Sequence, residues 1–181
     1  MKCTMDGYDL YVISGIDGSF TTYDRCLGRL LKEAPEHQLA YNRTLTFVQN
    51  IEIMRKVIQN GNRPCVLLGW SIGAVATFFL SNCDNVHTII SINAFYKRSD
   101  ILKRRNIPCD EEVCVGDTKK RSINYVLICG VMDDKIPSEE SRKIQHHFEI
   151  PNNNFFTFPK AKHDIASFPK EELTDIIRKH L

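Results

Sequence analysis

No stretch of this 181-residue chain reaches the roughly 18 consecutive apolar residues that a bilayer-spanning helix needs. The opening segment MKCTMDGYDLYVIS also lacks the 7–15-residue apolar centre of a secretory leader. No membrane partner is therefore expected. Charge of one sign is not in excess either. Lysine and arginine number 24 against 22 acidic residues, a net charge of +2 that gives no polyanion-binding signature and excludes nothing but strongly basic nucleic-acid binders. The local basic runs KRSDILKRR (97–105) and KKR (119–121) read as solvated loop surface, so no nucleic-acid partner is expected. Paired cysteine spacing is missing as well. Of the seven cysteines (3, 26, 65, 83, 109, 114 and 129), only Cys109 and Cys114 are close, and no second pair stands ready to complete a zinc site. An odd count without a secretory leader favours reduced thiols and a cytoplasmic protein. Repeats, low-complexity tracts and linkers are absent, which predicts one domain spanning 1–181 with a core of useful size.

What the sequence does have is alternation. Short apolar runs fall at LYVIS (10–14), QLAY (38–41), CVLLG (65–69), HTIISI (87–92), YVLICG (125–130) and FFTF (155–158). Most are too uniformly apolar for a half-exposed antiparallel strand and suit a sheet covered on both faces. Between them, Tyr23, Leu27, Leu30, Leu31 and Ala34 mark one helical face, Phe47, Ile51, Met54 and Ile58 a second, and Leu173, Ile176 and Ile177 a last. Strand and helix alternating along the whole chain predict a three-layer α/β domain with a mostly parallel sheet of about six strands. The polar, weakly periodic stretch 95–122 is expected to be a short lid or a surface loop.

One junction stands apart. In VLLGWSIGAVA (66–76) an apolar strand runs into a serine held between Gly69 and Gly73. In a strand–turn–helix setting, G-x-S-x-G describes a turn so tight that only small neighbours fit, with the Ser71 hydroxyl projecting above the carboxyl edge of the sheet. The N–H of Ile72 points to the same place and can stabilise an oxyanion. The plainer alternative is a tight turn whose serine caps the helix. A serine nucleophile predicts an acid and then a histidine later in the chain, after later strands. YVLICGVMDDKIP supplies Asp133 and Asp134, and FFTFPKAKHDIASFP supplies His163 between the last strand and the last helix. Near the start, the turn Ser14-Gly15-Ile16-Asp17-Gly18 follows the first strand, where the second oxyanion N–H is expected, assigned to Ile16; a plain turn with Gly18 at positive φ is the alternative.

These residues together resemble the α/β-hydrolase superfamily over nearly the whole chain. SGIDGS stands where the family has a His-Gly loop, GWSIG resembles its nucleophile elbow, CGVMDDKIP its acid loop and KHD its histidine loop. Spacing from Gly130 in that acid loop selects Asp133 over Asp134. Two groups are most similar: thioesterases of nonribosomal peptide and polyketide synthesis, through GxDGS and LLGWSxGA, and pimeloyl-carrier-protein methyl esterases, through Gly-Trp-Ser. The chain departs from the pattern in having Ser14 in place of histidine, a reduced N-terminal hairpin and an insertion too short for a full helical lid. The resemblance implies a serine hydrolase with catalytic Ser71, Asp133 and His163, an oxyanion hole from Ile16 and Ile72, and no metal or organic cofactor. Phe95 and Tyr96 are expected to form an apolar wall, and Trp70 either to line the acyl pocket or to pack in the core. The expected substrate is an acyl thioester on an acyl or peptidyl carrier protein, docked through the 97–105 cations. A carboxylic-ester hydrolase acting on a methyl or small ester is the alternative, and a non-catalytic binding protein on the same fold is the third reading.

Overall fold

The computed structural model describes residues 7–17, 20–33 and 36–181. Six strands, β1 (Asp9–Ile13), β2 (Glu36–Leu39), β3 (Cys65–Trp70), β4 (Val86–Ile92), β5 (Asn124–Gly130) and β6 (Phe155–Phe158), form one sheet in the order β2-β1-β3-β4-β5-β6. Every neighbouring pair is parallel. A parallel pair cannot be closed by a hairpin, so each connection must cross over a face of the sheet. The crossovers carry α1 (Thr21–Glu33), α2 (Phe47–Gln59), α3 (Ile72–Leu80), α4 (Arg98–Arg104) and α5 (Ser138–Phe148), and α6 (Lys170–Lys179) follows β6.

Strand side chains alternate between faces, which splits the core in two. Tyr11, Ile13, Leu67, Ile89 and Leu127 point to one side, under Phe47, Ile51, Met54 and Ile58 of α2, with α3 and Ile144 and Phe148 of α5. Leu10, Val12, Val66, Leu68, Ile90 and Val126 point to the other, under Tyr23 and Leu27 of α1 and Leu173 and Ile177 of α6. The expected helical faces therefore meet the sheet where their side chains are described; those of Leu30 and Leu31, and residue Ala34, lie outside the described residues. With roughly 1.5–3 kcal/mol for each large apolar side chain taken from water, burial on both faces is what holds the strands in register. Helix α3 is apolar all round and buried along nearly its whole length, because it packs directly beneath the centre of the sheet.

The 95–122 stretch is more ordered than its sequence pattern suggests. It holds α4, an antiparallel bridge between Lys97 and Cys114, and a 3₁₀ turn at Val115–Asp117. Ile101, Val113 and Val115 are buried against the α2–α5 face. Three apolar anchors at irregular spacing fix it, and no helical period reveals them. Two carboxylates add to the fixing. Glu111 accepts the N–H of Phe47 at the start of α2, at 2.9 and 2.8 Å, and fully buried Glu140 of α5 accepts the N–H of Tyr96 at 3.1 Å. No helix among the described residues is long and apolar enough to cross a membrane. The six described cysteines are all free.

Candidate active site

The sheet order reverses direction beside β1: β2 lies to one side, and β3 to β6 follow on the other. Such a switch opens a crevice beyond the carboxyl ends of the central strands. Ser71 sits there, at the end of β3, with φ 59° and ψ −123°. A serine in this positive-φ region is strained, and strain of this kind persists only where the surroundings impose it. The surroundings are explicit. A Cβ on Gly69 would lie 2.3 Å from the Gly73 carbonyl oxygen, and one on Gly73 would lie 2.3 Å from that of Ser14. Both glycines are thus required by close backbone approach of β3, α3 and β1. The Ser71 N–H donates to the Ile92 carbonyl at 3.0 Å. The hydroxyl does not cap α3 and has no partner among the described residues, so the capping alternative does not describe this serine.

Asp133 lies just beyond β5 and is buried. Its Oδ1 accepts the N–H groups of Lys135 and Ile136, both at 2.8 Å, and its Oδ2 faces His163 Nδ1 at 2.8 Å. The two backbone donors fix the carboxylate and leave one oxygen for the imidazole. Asp134 is exposed and takes no part in this contact. His163 is 9% exposed and lines the same cleft as Ser71. That cleft has a volume of about 360 Å³ and is also lined by Ile16, Ile72, Phe95 and Ile101. The structure thus brings Ser71, His163, Ile16, Ile72 and Phe95 to one cavity, with Asp133 immediately behind the histidine.

Trp70 and Tyr96 are not among the cleft-lining residues. The Trp70 indole N–H donates to the His163 carbonyl at 2.8 Å, its ring lies 5.4 Å from the imidazole, and a Cβ on Gly15 would come within 3.0 Å of it. Trp70 is therefore packed, partly buried, between the first turn and the loop that carries His163. Tyr96 packs edge-on against His147, with ring centres 5.7 Å apart, on the α5 side.

Two features escape local sequence patterns. Asn93, at φ 52° just past β4, accepts the Gly130 N–H at 2.9 Å and donates to the carbonyls of Lys162 and His163 at 3.2 and 3.0 Å. It ties the root of the acid loop to the histidine loop. Ser14, standing where histidine was expected from the family pattern, is fully buried; its hydroxyl accepts the Tyr41 N–H at 2.9 Å and donates to the Gly15 carbonyl at 3.2 Å. A small hydroxyl here anchors the first turn to β2 rather than to a substrate. Gly18, a candidate for positive φ in that turn, lies outside the described residues. Among the described residues no cluster of histidine, cysteine and carboxylate side chains is arranged to hold a metal.

No family model matches the chain, and no curated protein matches it in sequence. Solved structures do match its fold. A YdeN-like hydrolase from Pectobacterium atrosepticum superposes with a TM-score of 0.70 at 10% identity, covering 98% of this chain and 92% of that one. The esterase domain of a Rhodothermus marinus protein gives 0.69 at 16% identity, covering 99% and 89%. Mouse α/β hydrolase domain-containing protein 10 gives 0.71 at 12% identity, covering 94% and 90%. The six-stranded parallel sheet and its helices have the α/β-hydrolase fold.

Proposed function

We propose that the chain is a serine hydrolase that cleaves an acyl ester or thioester through Ser71, His163 and Asp133. The observation that carries this reading is the 2.8 Å contact of buried Asp133 with His163, a residue that lines one cleft with a strained, uncapped serine. In the mechanism, His163 removes the Ser71 proton as the oxygen attacks the substrate carbonyl carbon. Asp133 holds the imidazole in the tautomer with its proton on Nδ1 and stabilises the imidazolium that forms. The N–H groups of Ile72 and Ile16 receive the oxyanion, at the N-terminus of α3 where the helix dipole favours negative charge. The tetrahedral intermediate collapses, expelling the alcohol or thiol with the proton from His163. Water then attacks the acyl-enzyme with His163 as base, releasing the acid and restoring Ser71.

Esters are the favoured substrates, because structures of this fold include proteins named as esterases and a monoacylglycerol lipase. A carrier-bound thioester is the second reading, supported by the exposed Lys103 and Arg104 on α4 beside the cleft, which suit an acidic partner. A fluorophosphonate probe should label Ser71, and Ser71→Ala should lose both labelling and turnover while melting as wild type does. Turnover by Ser71→Ala within a few-fold of wild type overturns the reading. Rates on a matched oxygen ester and acyl-pantetheine thioester separate the two substrate classes.

A further inference from the structure

The cleft beside Ser71 is built from two kinds of side chain. Most of its wall is apolar, with Phe95, Ile101, Leu102 and Ile136 beside the two expected oxyanion residues. The rest, apart from Ser71 and His163, is cationic: Arg98, Arg105 and Lys135 line it, and no carboxylate among the described residues does. Arg98 is already engaged, with Asp110 at 3.0 Å and the Glu111 carbonyl at 2.9 Å. The side chains of Arg105 and Lys135 have no ion pair or hydrogen bond among the described residues. Of the carboxylates nearby, Asp100 is paired with Lys143 and Asp133 with His163.

Both free cations stand on fixed backbone. Arg105 ends α4, its N–H bonded to the Leu102 carbonyl at 3.0 Å, and Lys135 donates its N–H to the same Asp133 that holds the imidazole. Both residues are exposed, and a neutral ligand in this cleft would gain nothing from their charges. A ligand with an anionic group would satisfy both, and a guanidinium can grip a carboxylate through two parallel hydrogen bonds. The apolar wall formed by Ile101 and Leu102 suits a hydrocarbon segment between that group and the reacting carbonyl.

We infer that this cleft selects esters carrying an anionic group separated from the scissile bond by a short apolar chain, with Arg105 and Lys135 recognising the anion. The inference rests on the hydrolase reading above and names its substrate class. The test compares kcat/KM for the mono-p-nitrophenyl ester of adipic acid, an anion, with its neutral methyl-capped analogue. The anionic-to-neutral ratio is measured in wild type, Arg105→Gln, Lys135→Gln, the double variant, and Lys103→Gln with Arg104→Gln. A second pair of acetate esters carries the carboxylate, free or methyl-capped, on the alcohol side, and tells which half of the ester meets the cations. For at least one pair, the ratio should fall about threefold with each cleft variant and about tenfold with both, mainly through KM. It should also fall with added salt in wild type and stay level in the Lys103/Arg104 variant. An equal fall in the Lys103/Arg104 variant would make the effect a diffuse surface field and overturn the site. Turnover of all esters with an unchanged ratio also overturns it, while leaving hydrolysis intact. No turnover of any ester by the folded protein would remove both readings.

Discussion

His163 is held from three directions. Asp133 takes its Nδ1, while the Trp70 indole and the Asn93 amide both donate to its carbonyl, from 93 and 70 residues away in sequence. A ring held this way loses little freedom when a substrate arrives, and that preorganisation is what a general base needs. The two neighbouring aspartates make the sharpest test. Asp133→Asn presents an amide in place of the charged acceptor and disfavours the working tautomer, so kcat should drop by roughly 10⁴. Asp134→Asn changes an exposed side chain outside the contact and should cost less than about threefold. Steady-state rates on one ester decide, and the reverse ranking would mean that the imidazole is served by another acid. The gathering of Ser71, Asp133 and His163 was legible because each follows an apolar run, where the chain leaves the sheet. Asn93 and the Trp70 hydrogen bond were not, because a donor aimed at a distant carbonyl leaves no local spacing to read.

At the scale of elements, the insertion between β4 and β5 is pinned as a wall of the cleft, and Glu111 is its main fastening. Its carboxylate accepts the first N–H of α2, which would otherwise be unsatisfied, and lies 3.9 Å from Arg98. Thr46 and Gln49 close a capping box around the same helix start, so the favourable end of the dipole carries three acceptors. Glu111→Ala should lower unfolding stability by about 1–2 kcal/mol, read as a shift in urea midpoint at unchanged m-value. Glu111→Gln should recover part of that loss. A midpoint equal to wild type would show that the insertion is held by Ile101, Val113, Val115 and Glu140 without help from Glu111. The strands themselves were readable because burial on both faces makes them continuously apolar, whereas α4 is a seven-residue helix with one buried residue and carries too little pattern to announce itself.

For the molecule as a whole, the free thiols report how tightly the two core layers close on the sheet. Burial pushes Cys65 from an ordinary 9.0 up to about 12, and Cys129 up to about 11, while Cys109 is exposed. At pH 8 a thiol at 12 is ionised in only about one molecule in ten thousand, so it reacts with disulfide reagents only after unfolding. Native protein should therefore give fast reaction at Cys109 and protected signals from Cys65 and Cys129. The same shifts set the alkaline limit of stability. The folded state keeps protons that the unfolded state releases, so stability is intact below about pH 9 and declines as pH rises from 9.0 toward 11–12. Urea midpoints measured between pH 7.5 and 10.5 check the sign; a midpoint that rises with pH would contradict the packing of both strands.

The one-directional order of β3 to β6 has a consequence for synthesis. As the chain leaves the ribosome, each of these strands finds an existing edge waiting for it, since β1 precedes β3 and the rest follow in sequence. The serine turn is complete once Ile92 of β4 receives the Ser71 N–H. Asp133 arrives only after β5, and His163 only after β6, a further 30 residues on. A nascent chain thus builds the turn that bears Ser71, the proposed nucleophile, well before it possesses His163, the proposed base. On the proposed mechanism, a chain stalled before residue 163 can hold most of its sheet and still lack the base, and it should be inactive.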